Sequence, residues 1–112
     1  KRAEVDKEKI SLEQSVLNKE FLKDQLFTEE QQLLFSLKNA TENYNLQKEN
    51  KEVASRILTK MTQKYRLGSI SSLELTQANN NYLQAETNYA SAVLSLLQAE
   101  LQLRKLYNRF IY

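Results

Sequence analysis

Gly68 is the only glycine among the 112 residues of this chain, and the chain contains no proline. Because glycine and proline are the residues that most readily end or break a helix, a helix in this sequence has few places at which it could stop. We therefore predict an all-α fold with a single interruption. Residues 1–112 would form one antiparallel helical hairpin, with a long helix at about 1–67, a turn at 68–71 and a shorter helix at about 72–109.

The residues beside Gly68 carry the signals that end one helix and begin the next. Gly68 itself falls just after the first helix, at the position where a left-handed backbone is common and glycine is favoured. Ser71 and Glu74 match the S-x-x-E pattern of a capping box, which predicts Ser71 as the N-cap. Ile70 and Leu75 occupy the two positions of a hydrophobic staple around that cap.

Each predicted helix has a seam of residues at the alternating three- and four-residue spacing of a coiled coil. The seam of the shorter helix alternates alanines with larger side chains: Ala78, Ala85, Ala92 and Ala99, with Leu75, Tyr82, Tyr89, Leu96, Leu103 and Phe110. The seam of the longer helix comprises Leu33, Leu37, Ala40, Tyr44, Gln47, Lys51, Ala54, Leu58, Met61 and Tyr65. An antiparallel register that pairs Met61 with Ala78 also pairs Leu37 with Leu103.

In this register the shorter helix ends opposite Glu30, and the longer helix continues alone. Residues 1–29 then leave several apolar side chains without cover: Val16, Leu17, Phe21, Leu22, Leu26 and Phe27. A second apolar stripe runs along both helices: Leu83, Ala90, Leu94, Leu97 and Leu101, with Leu46, Val53 and Ile57. Because a helix with two apolar stripes contacts neighbours on two sides, we expect partner helices from another chain or from a further segment.

Composition argues against several classes of function. Cysteine and histidine are absent, which removes disulfides, thiol chemistry and the usual metal ligand. The 16 basic and 14 acidic residues are interspersed, so no basic surface suggests nucleic-acid binding. No run of about 18 apolar residues is present, so this segment itself is not expected to contact a membrane. We expect no enzyme activity, no catalytic residues, no metal and no cofactor.

An aromatic residue, a glycine, a serine-rich turn and a Leu-Glu-Leu helix start follow one another from Tyr65 to Leu75, and the alanine heptads come next. This pattern resembles the TolC-like outer-membrane efflux protein family, most strongly over residues 60–107. The resemblance implies a piece of the periplasmic α-helical barrel of an efflux or type I secretion channel, which three chains build together. It also implies the periplasmic portion of an outer-membrane protein of a Gram-negative bacterium.

The resemblance further implies a role for the turn. In this family the hairpin tips form the periplasmic entrance and meet the tips of a periplasmic adaptor, or membrane fusion, protein. Carried over, the adaptor-docking tip comprises Leu67, Gly68, Ser69, Ile70 and Ser71, and the entrance lining comprises Tyr65, Arg66 and Gln77. Tyr65 is equally well placed for seam packing. Thr76 and Gln77 are neutral where family members often carry an acid, which departs from the family's acidic entrance ring.

Two other functions account for the same features. A structural coiled-coil module that self-associates needs only the heptads and the uncovered stripe on residues 1–29, and it would form a dimer instead of the family's homotrimer. The third interpretation is that the chain is the hairpin of a periplasmic adaptor protein. The tip pattern of adaptors has Arg, Leu and Ser at longer helical spacing, whereas here Arg66 and Leu67 are contiguous and Gly68 follows. We therefore favour the channel.

Overall fold

The computed structural model of the chain describes residues 2–111, which form two α-helices and no strand. Helix α1 spans Arg2–Arg66 and helix α2 spans Ser72–Ile111. The predicted all-α antiparallel hairpin is therefore confirmed. Helix α2 begins at the predicted residue 72, whereas α1 ends one residue earlier and α2 ends two residues later than predicted. Lys1 and Tyr112, the ends of the predicted hairpin, lie outside the described residues.

The hairpin is a rod of 99 × 20 × 15 Å. A helix with the 65 residues of α1 is about 98 Å long, so α1 alone sets the length of the molecule. The shorter α2 ends beside Glu29, where Nη2 of Arg109 lies 3.2 Å from a Glu29 carboxylate oxygen. Residues 2–28 of α1 consequently extend for about 40 Å as a single helix, here called the overhang.

Small side chains of α2 form the most buried part of the contact between the helices. The buried residues are Ala78, Ala92, Ala99 and Leu106, whereas α1 has none. Ala92 is only 1% exposed and Leu106 only 2% exposed. Because the distance between packed helices depends on the side chains at the contact, the alanines allow α1 to approach α2 closely. The predicted alanine positions thus lie in the core of the hairpin, with Ala85 half-buried.

The predicted seam of α1 also faces α2, with one exception. Nine of its ten residues are half-buried, and Tyr65, in the last turn of α1, is 45% exposed. Phe110 of the α2 seam is likewise 52% exposed. It lies in a groove with Leu26 and Lys23, where only one helix is present to cover it. These two residues lie near the ends of the contact between the helices and are more exposed than the other large side chains of the seams.

Polar side chains interrupt the seam near its middle and contact one another across it. The hydroxyl oxygens of Tyr44 and Tyr89 lie 3.5 Å apart, and their ring centroids lie 5.6 Å apart. Nζ of Lys51 lies 4.8 Å from the centroid of the Tyr89 ring, within the range of a cation–π interaction. Because polar residues in a coiled-coil seam favour one register over its alternatives, we attribute that role to these three residues.

The second apolar stripes have no cover within this hairpin. The leucines Leu83, Leu94, Leu97 and Leu101 of α2 are exposed, as are Leu46, Val53 and Ile57 of α1. The overhang also exposes the apolar residues Val5, Ile10, Leu12, Val16, Leu17, Phe21, Leu22 and Phe27. The predicted uncovered surfaces are thus present on both helices. Across residues 2–111, neither helix contains the long apolar run that a transmembrane span requires.

Candidate functional site: the hairpin tip

Helix α1 ends in two hydrogen bonds that close its last turn. The N–H of Ser69 donates to the carbonyl of Lys64 at 2.8 Å, and the N–H of Gly68 donates to the carbonyl of Tyr65 at 3.0 Å. This pair of bonds is a Schellman motif, which satisfies carbonyl groups that the end of the helix would otherwise leave unpaired. The chain direction after α1 is therefore fixed by backbone bonds.

The left-handed backbone of Gly68 makes this motif possible. Its φ angle is +76°, in the region that costs an L-residue roughly 1–2 kcal/mol. A Cβ atom placed on Gly68 would meet no other atom within 4 Å, so glycine is required here for its backbone angle and not for space. The predicted left-handed glycine after α1 is thus observed, and the surface around it is open.

Ser71 caps the start of α2. Its Oγ accepts a hydrogen bond from the N–H of Glu74 at 3.2 Å, and its carbonyl accepts from the N–H of Leu75 at 3.2 Å. Within residues 2–111 the Glu74 side chain forms no reciprocal bond with Ser71, so half of the predicted capping box is present. Ile70 and Leu75 are both half-buried, as their staple positions lead one to expect. Both sides of the turn are therefore held by local bonds.

Four of the five predicted docking residues are exposed at the outer surface of the tip, and the fifth, Ile70, is half-buried. Leu67 is 82% exposed, the highest exposure among the large apolar side chains of residues 2–110, and Ser69 and Ser71 are also exposed. Leu73, which the sequence prediction missed, adds a second exposed leucine in the first turn of α2. A signal for it existed, because Leu73 lies at the start of the same stripe as Leu83 and Leu94. The tip thus combines two exposed leucines with serine hydroxyl groups.

The three predicted entrance residues lie around the base of the tip. Tyr65 and Arg66 belong to the last turn of α1, and Gln77 lies in the second turn of α2. All three are exposed, and within residues 2–111 no hydrogen bond or ion pair joins one to another. They can therefore meet a molecule that approaches the tip, but in this hairpin they do not form a closed cluster.

The chemistry of the tip suits binding to another protein. Its side chains are apolar, hydroxyl-bearing or amide-bearing, with one arginine at the end of α1. Among residues 2–111, no three of the His, Cys, Asp and Glu side chains lie close enough together to hold a metal ion. A rigid tip with exposed leucines can contribute apolar contacts to a partner while the serine hydroxyls form hydrogen bonds.

Comparison with known families gives a match over most of the chain. A family model described as outer membrane efflux protein matches residues 1–109, which include α1 with its overhang, the tip and all but the last two residues of α2. Comparison with curated proteins and with solved structures gives no significant match.

Proposed function

Because this chain belongs to the outer membrane efflux protein family, we propose that it forms part of a periplasmic α-helical barrel and docks with a periplasmic adaptor protein through its tip. The family match covers residues 1–109, so the tip and the overhang fall inside it. Members of this family are channels, which favours a transport role over an enzymatic one. The match also favours a role as part of the channel over a role as the hairpin of an adaptor protein.

The observation that carries the docking proposal is the exposure of Leu67 on a structurally fixed turn. Exposed apolar side chains on a monomer are often interaction sites when they lie together, and Leu67 and Leu73 both lie at the tip. The Schellman motif and the Ser71 cap hold the turn on both sides. A turn that is already ordered loses less conformational freedom on binding, which favours affinity.

The barrel proposal is supported by the apolar stripes that face away from the hairpin contact. A helix in the wall of a barrel has one neighbour on each side and therefore needs two apolar stripes. In α2 the first stripe packs on α1, and the second stripe, from Leu83 to Leu101, is exposed. Self-association of copies, a homotrimer in the full-length protein, would cover this second stripe.

Binding of the hairpin to an immobilised adaptor hairpin tests the docking proposal. Leu67→Glu places a charge at the centre of the tip, where burial of an unpaired charge would weaken the complex. Leu94→Glu is the matched control, because Leu94 is also an exposed leucine but lies on the body of α2. We expect Leu67→Glu to weaken binding at least tenfold and Leu94→Glu to have little effect.

Helical content and thermal unfolding of both variants establish that each remains folded. Equal binding by the parent chain and Leu67→Glu would contradict docking through the tip. If Leu94→Glu alone lost binding, the adaptor would bind to the side of α2 and not to the tip.

A further inference from the structure

The hairpin has two long sides that α1 and α2 border together, one on either side of the seam. Nη2 of Arg109 lies 3.2 Å from the Glu29 carboxylate across one side, and Gln102 lines the groove beside this pair. Thr62 and Asn79 line a groove on the other side. Because residues at seven-residue intervals lie on the same side of a coiled coil, each side can be followed from these residues along the helices.

The first side holds no ionisable side chain over most of its length. Toward the tip from Glu29 on α1 and from Lys105 on α2, its positions carry only Asn, Gln or Ser. We call these residues the uncharged face: Ser36, Asn43 and Asn50 of α1, with Gln77, Asn81, Gln84, Asn88, Ser91, Ser95, Gln98 and Gln102 of α2. All of them are exposed, and Nε2 of Gln84 donates a hydrogen bond to Oδ1 of Asn88 at 3.0 Å. On α2 the face is about 38 Å long.

The opposite side is charged over the same stretch of the hairpin. Its positions include five ionisable residues: Lys38, Lys48, Glu52, Glu86 and Glu100. Lys51 of the seam also lines a groove on this side, together with Glu52. Charged residues make up 27% of the chain, so the uncharged face differs from the chain as a whole. Between residues 36–50 and 77–102 the hairpin is therefore polar on both sides and charged on one.

The apolar surfaces of the hairpin lie elsewhere. The seam packs between α1 and α2, and the second stripe of α2, from Leu83 to Leu101, lies on the part of that helix that faces away from α1. On α1 the second stripe reaches the first side at Ile57, where the uncharged face ends. In the wall of a barrel the apolar stripes contact neighbouring helices. The two polar sides are then left to face the lumen and the surrounding solvent.

Charge decides which of the two sides suits the lumen. In a narrow aqueous passage, charged side chains on the wall focus their field and raise the local concentration of solutes of the opposite sign. A solute that crosses a channel must leave the wall as readily as it reaches it, which requires weak binding. Asn, Gln and Ser side chains hydrogen-bond with water and carry no net charge. The uncharged face meets this requirement, and the opposite side does not.

We infer that the uncharged face lines the lumen of the barrel and that this stretch of wall does not discriminate between anionic and cationic solutes. The charged side then faces the solvent outside the barrel. The inference rests on the proposed barrel. It adds which side of the hairpin a passing solute meets, and it adds the class of solute that this stretch admits, organic anions and organic cations alike.

Charges return at both ends of the uncharged face, but its middle lies far from them. Glu74 precedes the face near the tip, and Lys105 follows it at the other end. Asn88 is about 21 Å along α2 from Glu74 and about 25 Å from Lys105. Both separations exceed twice the screening length of about 8 Å at physiological ionic strength. Asn88 is therefore the position at which the neutrality of the wall is best measured.

Cysteine substitution identifies the side that lines the lumen. Residues 1–112 contain no cysteine, so an introduced thiol is unique within them. Asn81→Cys lies on the uncharged face, and Asn79→Cys is the matched control, because both residues are exposed asparagines of α2 and lie on opposite sides of the seam. The full-length channel with each variant is placed in a planar lipid bilayer and treated with a thiol-reactive polyethylene glycol. We expect the single-channel current to fall at least twofold for Asn81→Cys and to change little for Asn79→Cys.

Two small reagents of opposite charge test the neutrality of the wall. One is a trimethylammonium methanethiosulfonate and the other a sulfonate methanethiosulfonate, and the loss of free thiol at Asn88→Cys gives the rate of each. Because each rate follows the local concentration of its reagent, their ratio reports the electrostatic potential at the wall. Relative to their rates with a free thiol in solution, we expect the two reagents to agree within about threefold. Addition of Gln84→Glu, one turn away, should shift the ratio toward the cation.

A fall in current for Asn79→Cys alone, or equal falls for both variants, would overturn the inference and leave the barrel in place. No fall for either variant would contradict the barrel itself. A tenfold preference for one reagent at Asn88→Cys would overturn the neutrality of the wall. Parent-like current before treatment establishes that each variant assembles. A variant that does not assemble is replaced by Ser95→Cys on the uncharged face or Thr41→Cys on the charged side.

Discussion

Arg109 and Glu29 are 80 residues apart in sequence and 3.2 Å apart in the hairpin. Both side chains are largely exposed, so their ion pair contributes little to stability, at most about 1 kcal/mol. Its importance is positional, because it marks the level at which α2 ends and α1 continues alone. The same antiparallel register places Lys51 over the ring of Tyr89 in the middle of the hairpin. Two independent contacts therefore define one alignment of the helices.

Leu106 should be the most sensitive large side chain of α2. It is 2% exposed and lies one turn before Arg109. Leu106→Ala should lower the free energy of unfolding by about 2–5 kcal/mol, because it removes buried apolar surface and leaves a cavity. Leu101→Ala, at an exposed leucine of the same helix, should cost much less. Urea unfolding followed by circular dichroism measures both, and equal losses would contradict the assigned packing.

The alanines of the seam should not tolerate larger side chains. Ala92→Leu forces three additional carbon atoms between α1 and α2 at a position that is 1% exposed, and overpacking of this kind costs about 1–3 kcal/mol. Ala90→Leu makes the same change two residues earlier on an exposed face, where it should be close to neutral. The difference between their unfolding midpoints in urea is the test. A stabilising effect of Ala92→Leu would mean that the helices are further apart than described.

Substitution of Gly68 should act through the backbone alone. Gly68→Ala should lower the free energy of unfolding by about 1–2 kcal/mol, because alanine at a φ of +76° is strained. Gly68→Asn should cost less, since asparagine tolerates the left-handed region better than alanine does. No clash adds to either value, because a Cβ atom would lie in open space. Thermal unfolding ranks the three chains, and an alanine variant as stable as the parent would contradict the left-handed turn.

The pair of tyrosines across the seam should make stability depend on pH in the alkaline range. The hydrogen bond with Tyr44, followed by burial, raises the pKa of Tyr89 above its ordinary value of 10.0. The unfolded chain therefore loses this proton at a lower pH than the folded chain. The contribution of Tyr89 to stability is complete below about pH 10 and is lost as the pH rises through the folded-state pKa.

Ultraviolet titration of the parent chain against Tyr89→Phe isolates this ionisation. The difference should titrate above pH 10, and the decline of unfolding free energy above that pH should be shallower in Tyr89→Phe. Tyr107→Phe removes a tyrosine outside the pair and serves as the reference variant. A difference that titrates at or below pH 10 would show that the hydroxyl pair does not form in solution.

The turn and the seams could be predicted from sequence because they follow local rules. Gly68 and Ser71 carry signals that depend on a few neighbouring residues, and the alanine heptads depend only on helical periodicity. The structure agrees with these signals at the φ of Gly68 and at the hydrogen bond accepted by Ser71. Structural features that depend only on residues nearby in the sequence could therefore be predicted from the sequence alone.

Other features depend on where the partner helix begins and ends. The heptad spacing alone does not show that Leu106, which follows the alanines at the same spacing, is buried. It also does not show that Phe110 is more than half exposed near the end of α2. The contact between Tyr44 and Tyr89 depends on how two long side chains bend along the seam, which periodicity does not specify. Leu73 lies in the first turn of α2 and continues the spacing of the second stripe, which extends into the tip.

Site-specific photo-crosslinking tests the proposed docking of the tip most directly. A photoreactive amino acid replaces Leu67 in one preparation and Leu94 in another, and each is irradiated with the adaptor hairpin. Both positions are exposed leucines, so they differ mainly in their distance from the tip. We expect an adaptor adduct from position 67 and none from position 94. Adducts from position 94 without any from position 67 would contradict it.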